Sequence, residues 1–277
     1  MELKNKILKL ISAPTLRKND ELKGIHDGEN CYIIGNGSSL RNIQLDYFSD
    51  RPAICINHFS LHKDAALIDY RYHVLVEPFF CYPYVRNPYI NKLQYNVFWE
   101  VFKASFSEYP DVIFFTSISN KFGNVFPNTR YLHHFGHRKV DKGICDISGN
   151  FSFLAGGFAA AIGLAINLGF KRATLLGCDY LLTPIRTGHF YAYGDGMVTN
   201  DMTNVYANIL DEIDGLIELS IITDEGSSKW VQSQTFKELS GHNIIKRRNI
   251  DVIRPEYLDI LAKLKSHKGF CDKVYNQ

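Results

Sequence analysis

Five short apolar runs recur along the chain: CYIIG (31–35), PAICIN (52–57), YHVLVE (72–77), DVIFFTS (111–117) and RATLLGCD (172–179). Longer mixed segments separate them, and this alternation implies strands of a mostly parallel sheet covered by helices on both faces, an α/β fold. NIDVIRP (249–255) reads as a sixth strand. The clearest helix is GGFAAAIGLAINLGF, opened by Gly156-Gly157 and closed by Gly169; its apolar character places it against the sheet. Two stretches interrupt the alternation. Residues 78–110 are rich in aromatics, which suits packed helices or a ring-binding surface. Residues 181–235 hold polar and Gly-rich segments around a helix-like run from Asn204 to Ile222, and read as a lid inserted over the carboxyl ends of the strands. The expected organisation is an N-terminal amphipathic segment, 1–25, and one α/β domain, 26–277, with its lid at about 181–235.

Composition narrows the partners. A hydrophobic content of 45% with 22% charged residues is that of an ordered globular chain, and a net charge of +2 gives no reason to invoke nucleic acid. The six cysteines are far apart without a CxxC pair, so reduced, buried thiols are expected rather than a zinc site. No run approaches the roughly 20 apolar residues of a membrane span, and the first residues lack a signal-peptide core, which points to a cytoplasmic protein. The opening MELKNKILKLISAPTLRK groups Leu3, Ile7, Leu8, Leu10 and Ile11, with Lys4, Lys6 and Lys9 toward the other sides. It suits either a helix lying on the cytoplasmic face of the inner membrane or a short helix packed on its own domain, broken by Pro14. Homo-oligomerisation is left open.

The apolar run at 31–35 ends on Gly35-Asn36-Gly37-Ser38-Ser39, a strand-to-helix turn whose free N–H groups suit a phosphate. It is no dinucleotide fingerprint, since the third glycine is replaced by Leu40 and the next strand ends on Asn57 rather than an acid. Nor does Gly-Lys-Ser/Thr follow, as a P-loop needs. Asn36 and Asn57 offer neutral amides instead. Asn57, Glu77, Gly177 and Asp179 should share the carboxyl rim of the sheet, where open α/β sheets bind ligands. Gly156-Gly157 forms either a second anion site, with Ser148, Asn150 and Ser152 upstream, or merely a close helix–strand contact. Metal ligation is not expected: no Asp-x-Asp follows an apolar strand, and His133, His134 and His137 lack a carboxylate arrangement of known metal geometry. RTGHFYAYGDG (186–196) is the most reactive-looking loop, with Arg186 to neutralise a phosphate, His189 as a base, and Tyr191 and Tyr193 as donors to a leaving group. The alternative for a loop of this composition is simply to fold over the core.

In order and spacing, CYIIGNGSSL, AICINHF, LVEPFF and GGFAAAIGLAINLGFKRATLLGCDYL resemble segments of the bacterial sialyltransferases that act on lipooligosaccharide, within a wider group related to motility accessory factors. The resemblance spans roughly residues 30–195 and is remote between these segments. It implies a Rossmann-like, GT-A-type domain with a lid, a CMP-activated acidic sugar of the sialic acid or Kdo type as donor, a glycolipid or oligosaccharide acceptor, and inverting transfer without metal or other cofactor. Asn36 and its flanking glycines match the family's nucleotide-phosphate turn, Asn57 its ribose-contacting Asn, Gly177 and Asp179 the strand end near the nucleotide, and Tyr191 or Tyr193 the tyrosine at the leaving phosphate. Glu77 stands where the family has an Asn, Leu181 where it has a second Tyr, and the region of its catalytic His, around GSSKWVQSQTF, has none. His189 is therefore the candidate base on chemical grounds. Two other readings remain: a pterin diphosphokinase-like enzyme using ATP with Mg²⁺, as in archaeal members of the wider group, and a non-catalytic nucleotide-binding module.

Overall fold

Among the described residues strand alternation becomes one sheet of eight strands with every neighbouring pair parallel, in the order Gln232–Thr235, Glu218–Thr223, Arg172–Leu176, Asn30–Ile34, Pro52–Ile56, Asp69–Leu75, Ile113–Ser117 and Thr129–Leu132. A computed structural model of the chain describes residues 2–76, 92–124, 126–135, 140–192, 198–199 and 207–262. The strands of this sheet are β1 (Asn30–Ile34), β2 (Pro52–Ile56), β3 (Asp69–Leu75), β4 (Ile113–Ser117), β5 (Thr129–Leu132), β6 (Arg172–Leu176), β9 (Glu218–Thr223) and β10 (Gln232–Thr235). A short hairpin, β7 (Ile185–Arg186) with β8 (Val198–Thr199), stands apart. After β1 the chain builds outward through β2 to β5, then returns to the opposite side of β1 with β6. Strand order therefore reverses at β1, and a crevice opens there beyond the strands' carboxyl ends.

Side chains alternate across the sheet, as the two-residue strand period requires. On β1 and β2, Cys31, Ile33, Ile54 and Ile56 enter one core cluster, while Tyr32, Ile34, Ala53 and Cys55 enter the other. Helix α3 (Gly157–Leu168) covers the first face. It buries residues on nearly all sides, including Phe158, Ile162, Leu164 and Leu168, at roughly 1.5–3 kcal/mol for each large side chain. The second face is filled by Leu40, Phe48, Phe59 and Tyr257, with help from α2 (Lys92–Glu108) and α7 (Pro255–Ala262), which pack on each other. Within α2, Phe98 and Phe102 are buried, so these aromatics serve the core; Phe79, Phe80, Tyr82, Tyr84 and Tyr89 lie outside the described residues.

Three expectations need correction, and some elements went unread. The 249–255 run is not a strand: Asn249–Val252 is helical (α6), capped by Arg248, whose N–H donates to the Asp251 carboxylate (3.0 Å). The run from Asn204 to Ile222 is not one helix either. Among its described residues only Ala207–Ile213 (α4) is helical, and Glu218–Thr223 is strand β9 of the main sheet. The polar β10 at the sheet's edge, followed by α5 (Phe236–Ser240), and the short β5 went unread. At the N-terminus α1 (Glu2–Leu16) continues through Pro14 rather than stopping there.

Candidate active site

The glycine turn after β1 is shaped by how closely two strand ends approach. Gly35 N–H donates to Leu176 O (2.8 Å) and Gly37 N–H to Gly177 O (2.7 Å). A Cβ at Gly35 would sit 2.5 Å from the Gly177 oxygen, and Gly177 itself has φ +61°, so both positions require glycine. Beneath the turn lies the buried carboxylate of Asp179, which accepts from Ser39 N–H (2.9 Å), Ser39 Oγ and Ser38 Oγ (3.2 Å). A Cβ at Gly37 would fall 2.3 Å from Asp179 Cγ. Ser38 N–H donates to Gly188 O (3.1 Å). The expected phosphate cradle is thus a clasp: the N–H groups of Gly35, Gly37, Ser38 and Ser39 are all engaged within the protein, and Ser38 and Asp179 bond to each other. Burial raises the Asp179 pKa, and the hydrogen bonds from Ser39 oppose that rise.

A second set of groups does open onto a hollow of about 130 Å³ at the switch point, lined by Gly35, Asn36, Gly37, Asn57, Gly157, Phe158, Gly177, Tyr180, Arg186 and His189, among others. Asn57 is the first residue past β2 and adopts φ +50°, a left-handed conformation that asparagine tolerates better than most residues. Its N–H donates to Val74 O (3.0 Å), and its carbonyl accepts from His73 Nε2 (2.7 Å). Tyr70 O–H approaches His73 Nδ1 from the other side. Burial brings the His73 pKa down to about 3, so the ring is neutral, with its proton on Nε2 facing the Asn57 carbonyl. Asn36 Nδ2 donates to Ile56 O (2.7 Å), which fixes its amide orientation. The Oδ1 atoms of Asn36 and Asn57 are both shielded from solvent and have no hydrogen-bond partner among the described residues.

The start of α3 faces the same hollow. Gly156 has φ +135°, and a Cβ on Gly157 would lie 2.5 Å from Ile56 Cγ2 and 3.2 Å from Asn57 Nδ2. No side chain caps the helix, whose first α-type bond runs from Ala160 N–H to Gly156 O (3.0 Å). The N–H groups of Gly157 and Ala159 precede that bond and lie outside the helix's own ladder. The upstream residues do not contribute. Ser148 Oγ donates to Asp20 (2.6 Å), Asn150 Oδ1 accepts from Phe135 N–H (2.8 Å), and Ser152 Oγ donates to Asp141 O (2.7 Å).

Residues 186–192 are stitched to the glycine turn. Phe190 N–H donates to Asn36 O (2.9 Å), His189 bridges to Gly37, and the Phe190 ring is fully buried. This pairing brings half-buried His189 to the hollow. Tyr191 points elsewhere: it is buried, stacks on His189 (ring centroids 5.1 Å apart) and approaches His58 Nδ1 (3.5 Å). Burial pushes its hydroxyl well above the usual tyrosine range and lowers the His58 pKa to about 3. Tyr193 and Glu77 lie outside the described residues. Arg186 lines the hollow but donates to Asp224 Oδ1 (2.7 Å) and Glu225 O (3.1 Å). On the far side of Arg186 a larger cleft of about 730 Å³ opens between Thr183, Asp224, Lys246 and Arg248. Tyr180, His58 and His73 were not singled out in the sequence, although His58 directly follows Asn57. Among the described residues no cluster of three metal-type ligands occurs.

No protein-family model matches the chain, and no curated protein matches it in sequence. Among solved structures it is similar to the sialyltransferase CstII from Campylobacter jejuni in complex with the substrate analogue CMP-3FNeuAc, at 14% identity and TM-score 0.42, over 85% of this chain and 99% of that one. It is similar also to the sialyltransferase CST-II with trisaccharide acceptor and CMP, at 14% identity and TM-score 0.42 over the same shares. A CstII structure with cytidine-5'-monophosphate gives 14% and 0.41 over 86% of this chain and 98% of that chain.

Proposed function

We propose that the chain is a glycosyltransferase that moves an acidic sugar from a CMP-activated donor to a glycolipid or oligosaccharide acceptor, with inversion. The observation that carries this reading is the composition of the switch-point hollow. It combines the N-terminus of α3, which no side chain caps, with two amide oxygens that have no partner among the described residues, and its Arg186 is already balanced by Asp224. Such a site offers dipoles and little net charge, which suits one phosphodiester anion better than a diphosphate. The order of sequence segments that resembles sialyltransferases supports cytidine as the base.

In the proposed reaction His189 accepts the proton of the acceptor hydroxyl as that oxygen bonds to the anomeric carbon. The bond from the anomeric carbon to the phosphate oxygen breaks through an oxocarbenium-like state, and its electron pair leaves with CMP. The Gly157 N–H and the positive end of the α3 dipole receive the developing phosphate charge. Tyr180, which lines the hollow, replaces buried Tyr191 as the hydroxyl donor to the leaving group. Asn36 and Asn57 Oδ1 accept from ribose hydroxyls or the cytosine amino group. The acceptor occupies the cleft beyond Arg186.

Calorimetric titration with CMP, UDP and ATP plus Mg²⁺, each with and without EDTA, tests the donor class. Selective CMP binding that EDTA leaves unchanged is the expected result, and a preference for ATP with metal would replace this reading by the diphosphokinase. CMP binding without donor hydrolysis or transfer on any CMP-sugar would instead indicate a binding module. The base is tested by His189→Ala, which should abolish transfer while CMP affinity stays within about threefold.

A further inference from the structure

Between Ile7 and Ile11, helix α1 turns its apolar side chains outward. Ile7 (50% exposed), Leu10 (77%) and Ile11 (69%) lie on the open side, whereas only Ser12 and Leu16 among residues 7–16 are buried. The helix packs against β5 at the sheet edge, and among the described residues nothing covers this stripe. A second apolar group stands beside it. Phe122, at the end of the turn Ile118–Phe122 after β4, is 87% exposed, and the adjacent Lys121 Nζ donates to Thr15 Oγ1 of α1 (2.6 Å). Charge is equally one-sided: residues 1–18 hold Lys4, Lys6, Lys9, Arg17 and Lys18 against the single acid Glu2, in a chain whose net charge is only +2.

We propose that α1 and the Phe122 turn form a peripheral surface that seats in the headgroup layer of an anionic lipid bilayer. Exposed Ile, Leu and Phe side chains in a segment rich in cations are what such a layer accepts, the apolar groups entering by roughly 5–10 Å while Lys and Arg meet anionic headgroups. A second copy of the chain is the poorer occupant, because a self-complementary pairing would press two five-cation segments together. Sequence alone left two fates for this segment, and the exposure of Leu10, Ile11 and Phe122 favours the membrane.

The test is co-sedimentation of the full chain with phosphatidylcholine vesicles, with and without phosphatidylglycerol, across a salt series. Leu10→Asp combined with Ile11→Asp, and separately Phe122→Ser, alter exposed positions and should leave thermal unfolding unchanged. The expected result is binding to the phosphatidylglycerol vesicles that weakens with salt, and a partition coefficient lowered roughly tenfold or more in the double variant and severalfold in the Phe122 variant. Failure of the parent chain to bind either vesicle, equal binding to both, or variants that sediment like the parent would overturn the proposal. So would an oligomer that the double variant splits into monomers, which would assign the stripe to a second copy. None of these readouts depends on the donor nucleotide.

Discussion

Asp179 and Asn57 stand on the same rim and do different work. Asp179 spends its carboxylate on Ser38 and Ser39, so its replacement should be felt in folding. Asp179→Asn presents an amide N–H to groups that are themselves donors, and urea unfolding should show a loss of about 1–3 kcal/mol, with weaker CMP binding as a consequence of the loosened turn. If Asp179 instead contacted ligand directly, affinity would fall with stability unchanged. Asn57 reverses the expectation. Asn57→Gly keeps the left-handed backbone and removes the amide, so stability should change by less than about 1 kcal/mol while the CMP dissociation constant rises roughly tenfold. His73→Phe tests the support behind it: the Asn57 carbonyl loses its donor, and affinity should drop although His73 itself lies outside the hollow. The sequence showed that Asn57 ends a strand and follows no dinucleotide pattern. It could not show His73 as its support, because a histidine within an apolar strand looks like any other core position until β2 and β3 are paired.

At the scale of elements, α3 is both a wall of the core and a source of donors, and its glycines separate the two roles. Gly163 packs against Phe151 and Phe153, where a Cβ would stand 2.6 Å from Phe153 Cβ. Helix propensity alone would make Gly163→Ala stabilising by about 1 kcal/mol. Overpacking against two buried rings outweighs that gain, and a net loss of about 1–3 kcal/mol is expected in chemical denaturation. Gly157→Ala should act on the ligand: its methyl meets the Ile56 side chain and narrows the space beside Asn57, so CMP binding should weaken by more than tenfold, measured by calorimetry on protein whose melting curve is checked in parallel. Strands β1 to β4, β6 and helix α3 were legible because each is a concentrated apolar run that ends on Gly, Asn or a polar cluster. Strand β9 was missed because ELSIIT follows helix α4 after a short turn and its leading Glu218 suited a continuing helix. The edge strand β10, QSQT, carries no apolar signal at all. The 249–255 run was misread because its β-branched residues suggested a strand, whereas capping by Arg248 and Asp251 and contact with the core at Val252 and Ile253 determine its form.

For the whole molecule, the buried histidines tie stability to pH. His58, His62 and His73 belong to the packed second face and its border with the site, and burial lowers the pKa of each from 6.5 to about 3; nearby Arg247 and Lys63 add to the effect at His62, and His189 and His73 at His58. Between pH 6.5 and 3 the unfolded chain therefore binds protons at these sites that the folded chain does not. Stability is fully present above pH 6.5 and falls as pH drops, by up to about 1.4 kcal/mol per pH unit for each histidine. Asp179 works in the opposite sense, because its folded pKa is raised and protonation in the folded state favours the fold at low pH, but it is one group against three. Over two pH units the histidines can remove roughly 8 kcal/mol, comparable with the total stability of an ordinary domain. Scanning calorimetry should thus show a melting temperature that is flat from pH 8 to 7 and declines steeply toward pH 5, before most carboxylates titrate. His62 is the position to vary, since it lies outside the hollow, is fully buried and among the described residues leaves its Nε2 unpaired. His62→Leu should reduce the slope by about one third, the share of one site in three equal terms. A melting temperature that does not change between pH 7 and pH 5 would mean that these rings reach water, and with it that the packed second face behind His189 and Asn57 is looser than its burial implies.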